Sequence, residues 1–387
     1  MTNVEKQYFA LLQSAIWNRP VTINGAIDWS SVMRLAEHHA TVTLLCDVAS
    51  KMPADQQPDA EMLVWMKNQM RANLFFHMRL KQTLLQAVKM LRDNGIEPVL
   101  LKGFSLAQYY PNPNLRQFGD IDLFVGLEKF HEACAVLRSL PGSYNWGVIL
   151  DSGRHFNIEF GDYSLEIHRV SSEIIDAKKN AFYLEMERQG LFVHSREVEL
   201  EGGRFRIPSK EFQVFYTFFH AWDHFLTTGV GWRQLCDVAV ALHAYHGQLD
   251  TKQLRHDLEA LQLMRPWQTF GYLIVHQLGL PEAEMPFYEA KMRRKASILY
   301  DRVMEEGNFQ RKRTFKDRKP KRYVFRKIHT VICIFLDFWH TFRIFPDVAW
   351  SEMRTALLHG FARVNNEISH DGKKSIKKMH FFLAIKK

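Results

Sequence analysis

Cysteine is scarce and scattered in this 387-residue chain. Its four cysteines, Cys46, Cys134, Cys236 and Cys333, lie far apart inside apolar patterns and form no Cys-x-x-Cys pair. That argues against a disulfide framework and against a thiolate zinc site, and makes a reducing cytoplasm the expected compartment. Long apolar runs are missing too. The longest, at 331–336, breaks at Asp337 and is far too short to span a bilayer. The opening residues, Met1-Thr-Asn-Val-Glu-Lys, are polar, and Pro20 interrupts early, unlike a secretory leader. No repeat recurs at a fixed period, so a solenoid or propeller is not indicated. Aromatic residues are not regularly interleaved with the basic ones, which disfavours a base-stacking surface for nucleic acid.

What is there suits a globular chain. A hydrophobic share of 47% with 24% charged residues supplies a sizeable core, and the length allows two or three domains. The net charge of +9 is uneven. It gathers at 311–322 and 373–378, and such runs read first as solvated linkers or tails. Peripheral contact with an anionic membrane stays open, and nucleic acid is not the favoured partner.

Helical periodicity covers most of 5–92, and Leu80, Leu84, Val88 and Leu91 repeat on one face near its end. A further helix is expected at 127–140. Between 144 and 168 strands dominate. Residues 155–160 and 163–168 alternate polar and apolar around Gly161-Asp162, the signature of a tight hairpin. That turn pairs His155 with His168, Asn157 with Glu166, and Glu159 with Ser164. One face of the hairpin is then polar and the other apolar. A last hairpin is expected over 191–207. From Ser209, a good capping residue, the pattern is helical again: through Phe225, then 232–245, 251–261, 267–278, 288–306, 324–342 and 351–361. These shifts suggest a helical region at 1–75, a core at 76–208, a helical domain at 209–307 closing the cleft, and a basic linker with a helical region at 308–387.

The chain is organised around 97–125. Val99 to Leu101 reads as a buried strand that ends at Lys102-Gly103. Asp120-Ile-Asp-Leu-Phe-Val125 reads as a second strand. Successive side chains on a strand face opposite ways, so Asp120, Asp122 and Phe124 share one side. Two carboxylates side by side repel unless something positive lies between them, and a divalent cation is the obvious candidate. The plain alternative is a polar strand face turned to water.

Lys102-Gly103-Phe-Ser105, Arg116, Gly119-Asp120-Ile-Asp122 and Glu166-Ile-His168 together resemble the nucleotidyltransferase superfamily of the DNA polymerase β fold. More narrowly, they are similar to its bacterial branch of uncharacterised nucleotidyltransferase-like proteins, which also carries segments similar to His220-Ala-Trp-Asp-His224 and Gly231-Trp-Arg233. The resemblance spans about residues 75–250. It implies an α+β fold, a polymerase-β-like core with a small mixed sheet flanked by N- and C-terminal helical regions. It implies an enzyme that moves an NMP from an NTP to a hydroxyl of a small molecule, sugar or protein. Asp120, Asp122 and Glu166 would be catalytic and hold two Mg²⁺ ions, with Mn²⁺ as a substitute. Lys102, Gly103, Ser105, Arg116 and Arg233 would meet the nucleotide. The chain departs from the pattern where Phe104 separates Gly103 from Ser105.

In-line displacement at an α-phosphorus builds charge on both the attacking and leaving oxygens, which is the demand that paired metals and clustered acids meet. Glu159 rivals Glu166 on the neighbouring strand. His168 reads as a structural partner of a nearby carboxylate. His220 and His224 lie one turn apart, as in a metal pair, but read more simply as core or cleft histidines, with Asp223 facing elsewhere. Arg233 and Asp237, also one turn apart, are expected to pair. Two other functions fit the same residues: a silent module that keeps the fold as a scaffold, and an enzyme acting on RNA.

Overall fold

The computed structural model describes residues 1–143, 145–146, 154–174, 176–308 and part of 325–350. The chain separates into two compact units, 1–311 and 312–387. The basic stretches at 311–322 and 373–378 and the helix expected at 351–361 lie outside the described residues.

The first unit opens with α1 (Asn3–Trp17), α2 (Trp29–His38), α3 (Val42–Lys51) and α4 (Ala60–Asp93). Asp59 starts α4 by accepting the Met62 N–H. Its 34 residues run unbroken through positions 75 and 76, where the composition suggested a boundary. Then come β1 (Val99–Leu100), α5 (Phe104–Ala107), β2 (Asp120–Phe124), α6 (Gly126–Leu137), β3 (Asn145–Trp146), β4 (His155–Glu159) and β5 (Ser164–His168). They are followed by α7 (Ala177–Arg188), β6 (Arg196–Leu200), β7 (Gly203–Ile207), α8 (Lys210–Thr227) and α9 (Trp232–Ala244). The unit closes with α10 (Thr251–Ala260), α11 (Met264–Leu278) and α12 (Arg293–Glu306). No described helix is long and apolar enough to cross a membrane.

The described strands form one mixed sheet in the order β3-β4-β5-β2-β1-β7-β6. The β4–β5 hairpin has the register read from its turn: His155 opposite His168, Asn157 opposite Glu166, Glu159 opposite Ser164. Its tip turns at Gly161, whose φ of +99° suits glycine. Strand β2 pairs parallel with β5 and antiparallel with β1. The strict alternation of these strands decides the layering. Ile121, Leu123, Ile158, Leu165 and Ile167 all point to one side, onto Leu80, Leu84 and Leu91 of α4 and Phe130 and Leu137 of α6. On the other side Phe124 joins Phe212 and Tyr216 of α8 in a smaller cluster. The polar groups of β2, β4 and β5 share that side.

One local expectation changes. Residues 189–193 are not a strand but a wide helical turn that continues α7, so β6 starts only at Arg196. Helix α7 itself shows little periodicity, because its only buried side chains are Tyr183 and Glu187.

Candidate active site

Strand pairing sets the geometry. Asp122 on β2 is the register partner of Glu166 on β5, and Asp120 is the partner of Ser164. Beyond the other edge of β2, the Leu101 N–H donates to the Asp122 carbonyl at 3.1 Å, which delivers Lys102 beside the same aspartate. Lys102 Nζ lies 2.9 Å from Asp122 Oδ1, and His168 Nε2 lies 2.9 Å from that oxygen. His168 Nε2 is also 3.4 Å from Glu166 Oε2. The Asp122 side chain is wholly buried, and its second oxygen, Oδ2, has no hydrogen-bond partner.

The charges follow from this packing. Burial opposes ionisation of Asp122, but Lys102 and His168 outweigh it and hold its carboxyl well below the usual range. Burial likewise opposes the charge on Lys102, and the Asp122 carboxylate overcomes it and lifts Lys102 above an ordinary lysine. His168 behaves the same way: hydrogen bonds to Asp122 and Glu166 win over burial and raise it to about 9. Asp120 differs. Burial, then repulsion from Asp122, pushes it up. Its carboxylate makes no hydrogen bond or ion pair among the described residues.

Lys102, Asp120, Glu166 and His168 line a cavity of about 430 Å³ between the sheet and α8 and α9; the wholly buried Asp122 is not among its lining residues. The wall opposite the acids carries His220, Asp223, His224 and Arg233. His220 Nε2 and His224 Nε2 are 3.0 Å apart, and Thr228 Oγ1 is 2.7 Å from His224 Nδ1. Burial and the nearby Lys102 charge keep both rings neutral, with His224 lowered to about 3. Asp223 faces this cavity rather than away from it.

The other expected nucleotide contacts divide. Gly103 lines the cavity at φ +59°, where an added Cβ would sit 3.3 Å from the Phe118 ring. The Ser105 side chain does not reach the cavity. It is fully buried, and its hydroxyl donates to the Leu101 carbonyl at 2.8 Å. Helix α5 is four residues long, too short to present a useful dipole to a phosphate. Arg116 borders the cavity, but its guanidinium is committed. Nε donates to Asp237 Oδ1 at 2.6 Å and Nη2 to Oδ2 at 2.7 Å, while the Tyr110 hydroxyl donates to Oδ1 at 2.7 Å. Asp237 therefore pairs with Arg116 and not with Arg233. Arg233 instead donates from Nη1 to the Gln117 carbonyl at 3.1 Å, and its Nε has no partner.

A family model described as uncharacterised nucleotidyltransferase matches residues 25–279, about two-thirds of the chain. The chain belongs to the uncharacterised nucleotidyltransferase family. The matched span takes in every described strand and both walls of the cavity. No curated protein matches the chain. Among solved structures, this nucleotidyltransferase is similar to the crystal structure of ANT(2″)-Ia in complex with adenylyl-2″-tobramycin. The two are 16% identical with a TM-score of 0.34, over 48% of this chain and 97% of that one. It is also similar to an antigenic nucleotidyltransferase-like protein from Paracoccidioides brasiliensis. There the identity is 12% and the TM-score 0.32, over 54% of this chain and 94% of that one.

Around this cavity, Asp120, Asp122 and Glu166 do not form one ligand cluster within 4.8 Å among the described residues. The set of three ligand-type groups found within 4.8 Å of one another among the described residues is His155, Glu166 and His168. Lys102 and His168 hold one oxygen of Asp122 instead. Sequence reasoning missed Arg154, Tyr216 and Ser171, which also line it. Tyr216 carried a signal, since it sits one turn before His220 on α8. Arg154 and Ser171 flank the hairpin and carried none.

Proposed function

We propose that this enzyme transfers a nucleoside monophosphate from an NTP to a hydroxyl of a non-nucleic-acid acceptor, with the NTP in the cavity between the sheet and α8–α9. The observation that carries the reading is the register of Asp122 against Glu166, with Asp120 two residues away on the same face. Paired acids on neighbouring strands support nucleotidyl transfer.

The residues fit a divalent cation. A buried oxygen without a partner, as at Asp122 Oδ2, costs about 1–3 kcal/mol. The Asp120 carboxylate, which burial and Asp122 both disfavour as an anion, gains from added positive charge. Asp120, Asp122 and Glu166 would hold the metal, with Mg²⁺ as the first choice because all three offer oxygen. When bound, the cation supplies positive charge to phosphate oxygens and lowers the cost of the transition state.

The rest belongs to the chain. Glu166 would accept the proton of the acceptor hydroxyl: despite burial, His168 holds it below the ordinary glutamate value, which keeps it ionised. Lys102 and Arg233 present positive charge to the phosphates. The Arg116–Asp237 pair fixes the wall on which Arg233 stands. Helices α8 and α9 roof the cavity and exclude water.

A silent scaffold is the second reading. One observation favours it: Lys102 and His168 already neutralise Asp122. The two readings separate in a transfer assay with α-labelled NTPs and pools of sugars, small alcohols and proteins. Label on an acceptor, lost with Asp120→Ala, supports the enzyme; no label with any pool supports the scaffold.

A further inference from the structure

The metal-facing end of this site is not purely an oxygen site. Strands β4 and β5 place His155 directly opposite His168, and Asn157 directly opposite Glu166. These four residues alternate onto one face, so the hairpin presents two imidazoles, a carboxylate and an amide side by side. His155 Nε2 is 4.0 Å from Glu166 Oε2, and His168 Nε2 is 3.4 Å from the same oxygen. The amide adds an independent sign of a missing partner: Asn157 Oδ1 is buried with no hydrogen bond.

The geometry points to a mixed nitrogen–oxygen metal site, in which His155 and His168 join Glu166 to bind a borderline divalent ion such as Co²⁺ or Zn²⁺ more tightly than Mg²⁺. This rests on the nucleotidyltransferase reading of the same cavity and names the metal class. Imidazole nitrogen suits borderline ions and adds little for Mg²⁺. The spacings suit coordination. Ligand atoms about 2.1 Å from a metal lie about 3.0 Å apart in an octahedron and about 3.4 Å apart in a tetrahedron. The His168–Glu166 distance of 3.4 Å matches a tetrahedral edge. The His155–Glu166 edge of 4.0 Å closes with a rotation of His155, whose side chain is one-third exposed.

The test uses the full chain loaded with Mn²⁺ alone, read by pulsed electron paramagnetic resonance for nitrogen couplings. Two imidazole couplings are expected in the wild type, one in His155→Ala, and a loss of Mn²⁺ affinity of about tenfold or more with that variant. His155→Gln, which keeps a polar side chain of similar reach, controls for folding and is expected to lose the same coupling. One bound Mn²⁺ without nitrogen coupling overturns the mixed site and leaves the nucleotidyltransferase reading standing. No bound Mn²⁺ at all overturns both.

Discussion

Arg116 and Asp237, 121 positions apart, form a buried two-pronged ion pair that ties the approach to β2 to the middle of α9. Both side chains are almost wholly buried, and the Tyr110 hydroxyl shares the carboxylate. The pair is a clamp: it holds the strand bearing Asp120 and Asp122 against the helix bearing Arg233. Removing one partner strands a buried charge, a loss of about 3–5 kcal/mol. Asp237→Ala should therefore lower the melting temperature sharply. Replacing both residues with apolar ones, Arg116→Met with Asp237→Leu, should recover most of that loss in the same thermal melt.

The two aspartates of β2 should respond in opposite directions. Asp122 is the counter-ion of buried Lys102 and His168, so Asp122→Asn leaves two cations unbalanced and should cost about 3 kcal/mol or more. Asp120 is held where its charge is disfavoured, so Asp120→Asn should stabilise by about 0.5–2 kcal/mol. Both should abolish transfer. Denaturant unfolding of the two variants beside the wild type checks the signs.

That contrast bears on what the amino-acid order reveals. The β4–β5 register was legible because a two-residue turn and a period of two leave one pairing that buries Phe156, Ile158, Leu165 and Ile167 together. The Asp-x-Asp face was legible for the same reason. Lys102 beside Asp122 was not, because it depends on how β1 docks on β2. Arg233 and Asp237 look like partners at helical spacing, yet Arg116 reaches Asp237 from a loop, and long-range docking overrides a local pair. Ser105 looked available, but the turn after β1 folds its hydroxyl back onto Leu101. Helix α7 was invisible because it buries so few side chains.

A buried acid beneath the cavity predicts a pH effect on stability. Burial raises Glu187 to about 7, from an ordinary 4.5, against the pull of the Ser171 N–H and hydroxyl. A raised acid favours folding while it is protonated. Its contribution is full below pH 4.5 and is lost as the pH rises through about 7. Glu187→Gln should remove this slope, making the variant relatively more stable at pH 8 by up to about 3 kcal/mol. Urea unfolding at pH 5, 6.5 and 8 measures it; parallel curves for the two proteins would contradict it.

The turn after β1 should tolerate no side chain. Gly103→Ala places a Cβ at φ +59° against the Phe118 ring. A left-handed backbone costs a non-glycine residue about 1–2 kcal/mol, and displacement of Phe118 would disturb the approach to Asp120. A thermal melt should show that loss, and NTP affinity should fall with it.

We propose that Asp120, Asp122 and Glu166 act together as one nucleotidyl-transfer centre. It is tested most directly by pyrophosphate release from a panel of NTPs, with Mg²⁺ or Mn²⁺ and a mixed pool of hydroxyl acceptors, comparing wild type with Glu166→Gln. The prediction is metal-dependent release by the wild type, reduced at least about 10²-fold in the variant while NTP binding is kept. Equal release by both proteins, or none by the wild type with any NTP, would contradict it.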